Sequence, residues 1–236
     1  MIISNITSNS LSIRFSLDGF SLYIHDENNQ LISSKTVEFE LIKQTIDELH
    51  YILDNTRELK LNFKSIRIIY ETNQYTLIPY KLFDIDNIQH FLYLQHPESK
   101  KFENFAYNHL LAWDIYIAFA VPNNLHEVLS KIFPEIELQH HIYSFINDKV
   151  PLQKLSSIFV IDRNEMIDVI AIEKGTFQLV NSFKYASPET ALFYILKVYE
   201  QLKLDVNQCV TFLNTNKSNS ALELLIKTYI KNYEIC

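Results

Sequence analysis

Ser157-Ile158-Phe159-Val160-Ile161-Asp162-Arg163-Asn164-Glu165-Met166-Ile167-Asp168-Val169-Ile170-Ala171-Ile172 is the stretch whose reading decides the fold. Residues 157–161 form a nearly continuous apolar run, the pattern of a strand buried on both faces. Asp162 to Glu165 reads as a turn, and Ile167 to Ile172 as a second strand. Glu173-Lys174-Gly175 marks the next turn and Phe177 to Phe183 a third strand. Ser187-Pro188-Glu189-Thr190 then opens a helix, with Ser187 as N-cap and Pro188 at the first helical position. Ala191, Leu192, Ile195, Leu196, Val198, Tyr199 and Leu202 lie on its apolar side. Cys209 to Leu213 returns as a strand, followed by a short helix from about Asn219.

The first part of the chain follows the same order. Leu11 to Leu17 alternates with period two, Asp18-Gly19 signals a hairpin, and Phe20, Leu22 and Ile24 continue on the partner strand. After a polar turn from His25 to Gln30, Leu31 to Val37 is a third strand. A helix is expected next, with Thr36 or Glu38 near its start and Leu41, Ile42, Ile46, Leu49 and Leu53 on its apolar face. Ser65 to Tyr70 and Tyr75 to Pro79 read as strands. Further on, Trp113 to Val121 is a strand ending at Pro122, and Asn123 or Asn124 caps a helix that Pro134 stops. Ile136 and Leu138 form a short strand, and a last helix starts at His140. Three antiparallel strands, a crossover helix and a parallel strand make a ribonuclease-H-like core. It occurs twice, roughly 145 residues apart, as in a duplicated architecture. The expected organisation is an α/β chain of mixed sheets, with one such domain over residues 1–148, carrying extra hairpin and helix elements, and a second over 149–236.

Composition bounds the rest. Hydrophobic residues make up 47% and charged residues 21% of the 236, enough for packed cores. The net charge of −7 repels phosphate backbones, so no nucleic-acid partner is expected. Cys209 and Cys236 are too few for a disulfide framework or a metal knuckle. Met1 to Asn5 lacks the charged start of a secretory leader, and the apolar stretch Ile115 to Val121 is far short of the roughly 20 residues of a membrane helix. A cytoplasmic protein without a transmembrane segment is the expectation.

The run Ile115-Tyr116-Ile117-Ala118-Phe119-Ala120-Val121-Pro122, with its following helix, resembles the strand, proline and helix that precede the second phosphate loop of the actin-like ATPase superfamily. The stretch from Ile161-Asp162 to Val180 resembles that loop and its hairpin. Asp162 stands at the first aspartate, Asp168 at the aspartate opening the next strand, and Gly175 at the turn glycine. The resemblance implies an actin-like ATPase fold of two tandem ribonuclease-H-like domains, with loop aspartates approaching Mg²⁺ and its waters. The pattern Ala120-Val121-Pro122, Phe133-Pro134 and His140-His141 is similar to a narrower, uncharacterised bacterial family, domain of unknown function 3822, which implies the fold and no settled activity.

The departures from that pattern carry the functional reading. Gly19 and Gly175 are the only glycines, and glycine is what lets phosphate oxygens approach backbone N–H groups without a Cβ in the way. Arg163, Asn164, Glu165, Met166 and Ile167 stand where the second loop has glycines and Thr/Ser, and Glu165 brings negative charge to the phosphate position. Of the first loop only Asp18-Gly19 survives, and Asn214-Thr215-Asn216 replaces the adenosine-side glycines. No Walker A, GxSxG or HExxH pattern is present.

Asp18, Gly19, Asp162 and Asp168 are therefore the candidate cofactor-binding remnants. The competing reading makes the aspartates turn and strand-edge residues. His140-His141 reads as structural, since neighbouring side chains diverge on a strand or a helix. Asp84 and Asp86 suit a helix start. Tyr70, Tyr75, Tyr80, Phe83, Phe91, Tyr93 and Phe102 are either large core side chains or an exposed protein-binding surface. Leu222, Leu225, Ile226, Tyr229 and Ile230 are expected to close the second core. The sequence thus points to a non-catalytic pseudo-ATPase with no catalytic residue, no bound cofactor and no metal, binding or scaffolding an unidentified protein partner. The alternative keeps a nucleotide, or a metal on Asp18, Asp162 and Asp168, for phosphoryl-transfer or nuclease-type chemistry, with ATP and Mg²⁺ as cofactors.

Overall fold

The alternation at the start of the chain is the alternation of burial. In the computed structural model, which describes residues 8–150, 156–163, 165–215 and 220–236, β1 (Ser10–Ser16) buries Leu11, Ile13 and Phe15 and turns its serines and Arg14 the other way. It pairs antiparallel with β2 (Gly19–His25), which places Phe15 beside Phe20 and Ile13 beside Leu22 on one face. Fully burying side chains of this size contributes about 1.5–3 kcal/mol each. The outer strand β3 (Leu31–Glu38) completes the meander.

The chain divides into two units, Met1–Asp148 and Lys149–Cys236. In the first, α1 (Ile46–Asp54) crosses over to β4 (Ser65–Tyr70), which runs parallel to β1. The helix starts later than the sequence pattern predicts. Thr36 and Glu38 remain in β3, and Leu41 to Lys43 make only a short 3-10 turn in which Leu41 is buried and Ile42 exposed. Two bonds hold this segment to the first hairpin: Phe39 N–H donates to the Asp18 carbonyl and Leu41 N–H to that of Leu17. Helical geometry begins where a capping box becomes available. Glu48 N–H donates to Thr45 Oγ1 at 3.2 Å, and Thr45 N–H donates to Glu48 Oε2 at 2.8 Å.

An inserted sheet follows. Its strands β5 (Tyr75–Pro79), β6 (Asn104–Leu110) and β7 (Ile115–Val121) stand in the order β5-β7-β6, all antiparallel. Helix α2 (Ile88–Gln95) packs Ile88 and Leu92 on one face of it, against Ile78 and Ala118. Strand β6 escaped the sequence reading because its polar Asn104, Asn108 and His109 break the apolar pattern. Strand β7 begins at Ile115 rather than Trp113, since Leu111 to Trp113 form a 3-10 turn that ends at Asp114 in the left-handed conformation. Helix α3 (Asn123–Ile132) follows with Pro122 at its N-cap, so Asn123 is its first residue and not its cap. Then come β8 (Leu138–His140), parallel to β4 and without Ile136, and α4 (His141–Lys149).

In the second unit β9 (Ser157–Asp162), β10 (Met166–Glu173) and β11 (Thr176–Lys184) form the meander. Lys174-Gly175, both at positive φ, make the two-residue turn between the last two. Helix α5 (Pro188–Gln201) starts at the Ser187 cap and leads to β12 (Val210–Asn214), parallel to β9. Helix α6 (Ala221–Tyr229) and β13 (Tyr233–Ile235), a strand the sequence did not announce, end the unit. Asn219, the expected start of α6, lies outside the described residues, and Ser220 is the N-cap. Leu222, Ile226 and Ile230 close the core with Ile158, Val160, Ile195 and Val198, whereas Tyr229 faces outward. The two large sheets share one plan: β3-β2-β1-β4-β8 in the first unit, β11-β10-β9-β12-β13 in the second.

Candidate functional site

The β9–β10 turn, where the second phosphate loop was expected, is occupied by the chain's own side chains. Arg163 N–H donates to the Met166 carbonyl at 2.8 Å and closes the turn. The Arg163 guanidinium folds back over β10. Its Nε donates to Asp168 Oδ2 at 2.6 Å and its Nη2 to Asp168 Oδ1 at 2.8 Å. Register explains a further bond: Asp168 pairs with Ser182 of β11, and Ser182 Oγ donates to Asp168 Oδ1 at 2.5 Å. Asp168 is fully buried, and the Arg163 side chain keeps only 9% of its surface. Two parallel N–H···O bonds between opposite charges are the strong form of this interaction, and burial removes the competing water.

Asp162 is held separately. Tyr185 O–H donates to its Oδ1 at 2.8 Å and Thr215 Oγ1 to its Oδ2 at 3.4 Å. Burial raises the Tyr185 phenol above its ordinary range, and the bond to Asp162 and the charges of Asp162 and Glu165 push the same way. The strand register keeps the two aspartates apart. Asp162 stands opposite Ile167, on the face where Ile158, Val160 and Ile167 meet the helices, while Asp168 stands opposite Ile161 on the other face. They do not converge on one point. Among the described residues no group of three or more His, Cys, Asp or Glu side chains is arranged to hold a metal ion.

Asp18 and Gly19 belong to the first unit. Asp18 is exposed on the β1–β2 turn, with its N–H bonded to Ser16 Oγ at 3.3 Å. Gly19 has φ +127°, and a Cβ there would sit 2.1 Å from the Val37 carbonyl oxygen of β3. The packing of three strands is thus sufficient reason for glycine at this position. At the end of β12, Asn214 Nδ2 donates to the Cys236 carbonyl at 2.9 Å. Asn164 and Asn216 lie outside the described residues.

The remaining candidates resolve into packing. His140 is buried, its Nε2 3.1 Å from the Thr72 carbonyl and its Nδ1 accepting from Ile142 N–H at 3.3 Å, with its ring against Tyr75 and Phe119. Asp84 accepts from Asp86 N–H at 3.1 Å and Asn87 Nδ2 at 2.7 Å, a cap on the turn before α2. The aromatic cluster splits: Tyr70 and Tyr75 are buried, while Tyr80 is exposed. Tyr80 leads a row of stacked rings through His109 and Tyr116 to Phe83, with centroids 5.6, 4.2 and 3.7 Å apart. Sequence reasoning missed His109 and Tyr116 here. The signal was the alternation Phe105, Tyr107, His109 on β6, which faces Ala120, Ala118 and Tyr116 of β7.

Two sheets of this order, with the inserted three-stranded sheet in the first unit, make an actin-like ATPase fold. The chain belongs to the family described as Protein of unknown function (DUF3822), which matches residues 1–233. A solved protein of Bacteroides thetaiotaomicron, described as having an actin-like ATPase fold and unknown function, superposes with a TM-score of 0.80 at 24% identity, covering 100% of this chain and 93% of that one. The PilM–PilN type IV pilus biogenesis complex gives a TM-score of 0.52 at 11% identity over 98% of this chain and 89% of that one. No curated protein matches the chain. Among the described residues no helix is long and apolar enough to cross a membrane.

Proposed function

We propose that this chain is a non-catalytic member of the actin-like fold, a pseudo-ATPase that works as a protein-binding or scaffold module. The observation that carries the reading is the buried Arg163–Asp168–Ser182 arrangement. In this reading Asp18, Gly19, Asp162 and Asp168 are remnants of the phosphate loops. A carboxylate that serves Mg²⁺ must be open to the ion and its waters. Asp168 instead neutralises a guanidinium of its own chain, and exchanging that partner for a hydrated ion means breaking a buried charge pair. Asp162, engaged by Tyr185 and Thr215, lies on the opposite sheet face, which speaks against the alternative of a shared metal for phosphoryl transfer.

Partner binding draws support from the fold's record: the PilM neighbour was solved as a complex with PilN. Packing of the two cores rests on residues other than the loops, so the fold persists when a loop no longer serves a ligand. Placement in the cytoplasm is part of the same proposal and fits the two free cysteines, Cys209 and Cys236. Equilibrium dialysis against radiolabelled Mg-ATP, followed by a phosphate-release assay, tests the reading. The expected result is no saturable uptake at millimolar nucleotide and no release above buffer. Stoichiometric uptake with turnover would overturn it.

A further inference from the structure

Strand β3 ends the first large sheet, so its outer row of backbone N–H and C=O groups has no strand partner among the described residues. It spans Leu31–Glu38, longer than the common strand of about 5–6 residues. Leu31 to Thr36 are all exposed, including the large apolar Leu31 and Ile32, at 56% and 55%. An edge of this kind is normally guarded by proline, by a bulge or by a lysine projecting past it. No proline lies in the strand, and its one irregularity, the register shift that leaves Ile32 unpaired between Leu31 and Ser33, is at its start beside the β2–β3 turn. Its one cation, Lys35, does not guard the edge: Nζ donates to Glu58 Oε2 at 2.8 Å, which ties it to the turn following α1. Past that irregularity, residues 33–38 run in regular register and the edge is open.

Its electrostatics select the occupant. Between Arg14 and Lys35 the sequence holds no Lys or Arg. Around the hairpin, Asp18, Glu27 and Glu38 are exposed and form no ion pair among the described residues, and Asp26 caps its own turn through Asn28 and Gln30 N–H. Of the nearby cations, Lys43 pairs with Glu40, while Lys35 pairs with Glu58, whose charge Arg57 also offsets. A second copy of this chain would bring the same acidic edge, and a net charge of −7, against its like. We propose that β3 is a docking edge for an extended, basic segment of a partner protein, which joins the sheet as a further strand with its Lys or Arg residues flanking an alternating β-branched centre. Backbone pairing along about four outward-facing residues supplies the attachment. The acidic ends of the hairpin choose a basic strand over an acidic one. The inference rests on the partner-binding half of the reading above and involves no nucleotide, so the two fail separately.

The test uses the full chain and two synthetic peptides, KKVTVTVKK and EEVTVTVEE, followed by backbone amide shifts and amide exchange. The basic peptide is expected to shift and protect amides of Leu31–Glu38 and to bind at least about tenfold tighter than its acidic twin, a preference that shrinks at high salt. The Glu27→Lys/Glu38→Lys variant changes only exposed side chains and is expected to remove that preference, while Ser34→Pro in the strand removes the binding. Equal affinity for both peptides would overturn the proposal. So would changes centred on another edge such as β11, no binding at millimolar peptide, or self-association of the free chain through β3.

Discussion

The turn after β1 and the turn after β9 occupy corresponding places in two sheets of one strand order, yet they end differently. The first is a short hairpin with Asp18 exposed and Gly19 pressed against the Val37 carbonyl. The second carries Arg163 back onto Asp168 and closes over it. At the first turn, only the glycine is demanded by packing, and the aspartate beside it is spare. At the second, the aspartate is held by its own chain, as a buried carboxylate needs a partner whatever ligand is present. The same residue type at corresponding turns thus does different structural work.

Mutations that remove one side chain at each turn should separate the two sharply. Asp168→Ala leaves the Arg163 guanidinium buried without its counter-charge. It is expected to cost about 3–5 kcal/mol in denaturant unfolding, and the double variant Arg163→Met/Asp168→Leu should recover most of that loss. Gly19→Ala forces a Cβ toward the Val37 oxygen at a φ that L residues rarely adopt, so a loss of about 1–3 kcal/mol is expected from strain alone. Equal stability of that variant would show that the hairpin can shift away from β3.

Alkaline titration probes the second turn without mutation. Burial raises the phenols of Tyr185, Tyr70 and Tyr199, with Asp162 adding to the effect at Tyr185. A group with a raised folded-state pKa contributes stability that is fully present below its unfolded value of about 10 and lost as pH rises from there toward the folded value. The tyrosine contribution should therefore fall above that point, following an earlier loss from the thiols of Cys209 and Cys236, which burial also raises, and Tyr185→Phe should make the upper fall shallower. The smallest effect is expected at Asp18→Ala, within about 0.5 kcal/mol of the parent, as for an exposed side chain outside any network.

Much of this contrast was legible in the residues. Ser65–Tyr70 and Tyr75–Pro79 are strands with the predicted ends, and Ser187-Pro188 starts α5 as its cap chemistry requires. Those signals are local, and packing agreed with them. The start of α1 was misplaced because the bonds from Phe39 and Leu41 to the first hairpin are tertiary, and nothing in residues 36–41 announces them. Strands β6 and β13 were missed because neighbouring strands, not their own apolar content, hold them. At the β9–β10 turn, the scarcity of glycines was readable, but the Arg163 partnership was not. It depends on the register that sets Ser182 beside Asp168 and on a side chain folding back over its own hairpin.

The central claim, that the second loop is closed by its own residues and takes no nucleotide, is tested most directly by the melting temperature with and without millimolar Mg-ATP, with Asp162→Ala as control. A ligand at about 100 times its Kd adds roughly 2.7 kcal/mol, which for a chain of this size raises the melting point by about 5–10 °C. The account predicts the same melting temperature in both conditions for parent and variant alike. A rise of several degrees in the parent that Asp162→Ala abolishes would contradict it.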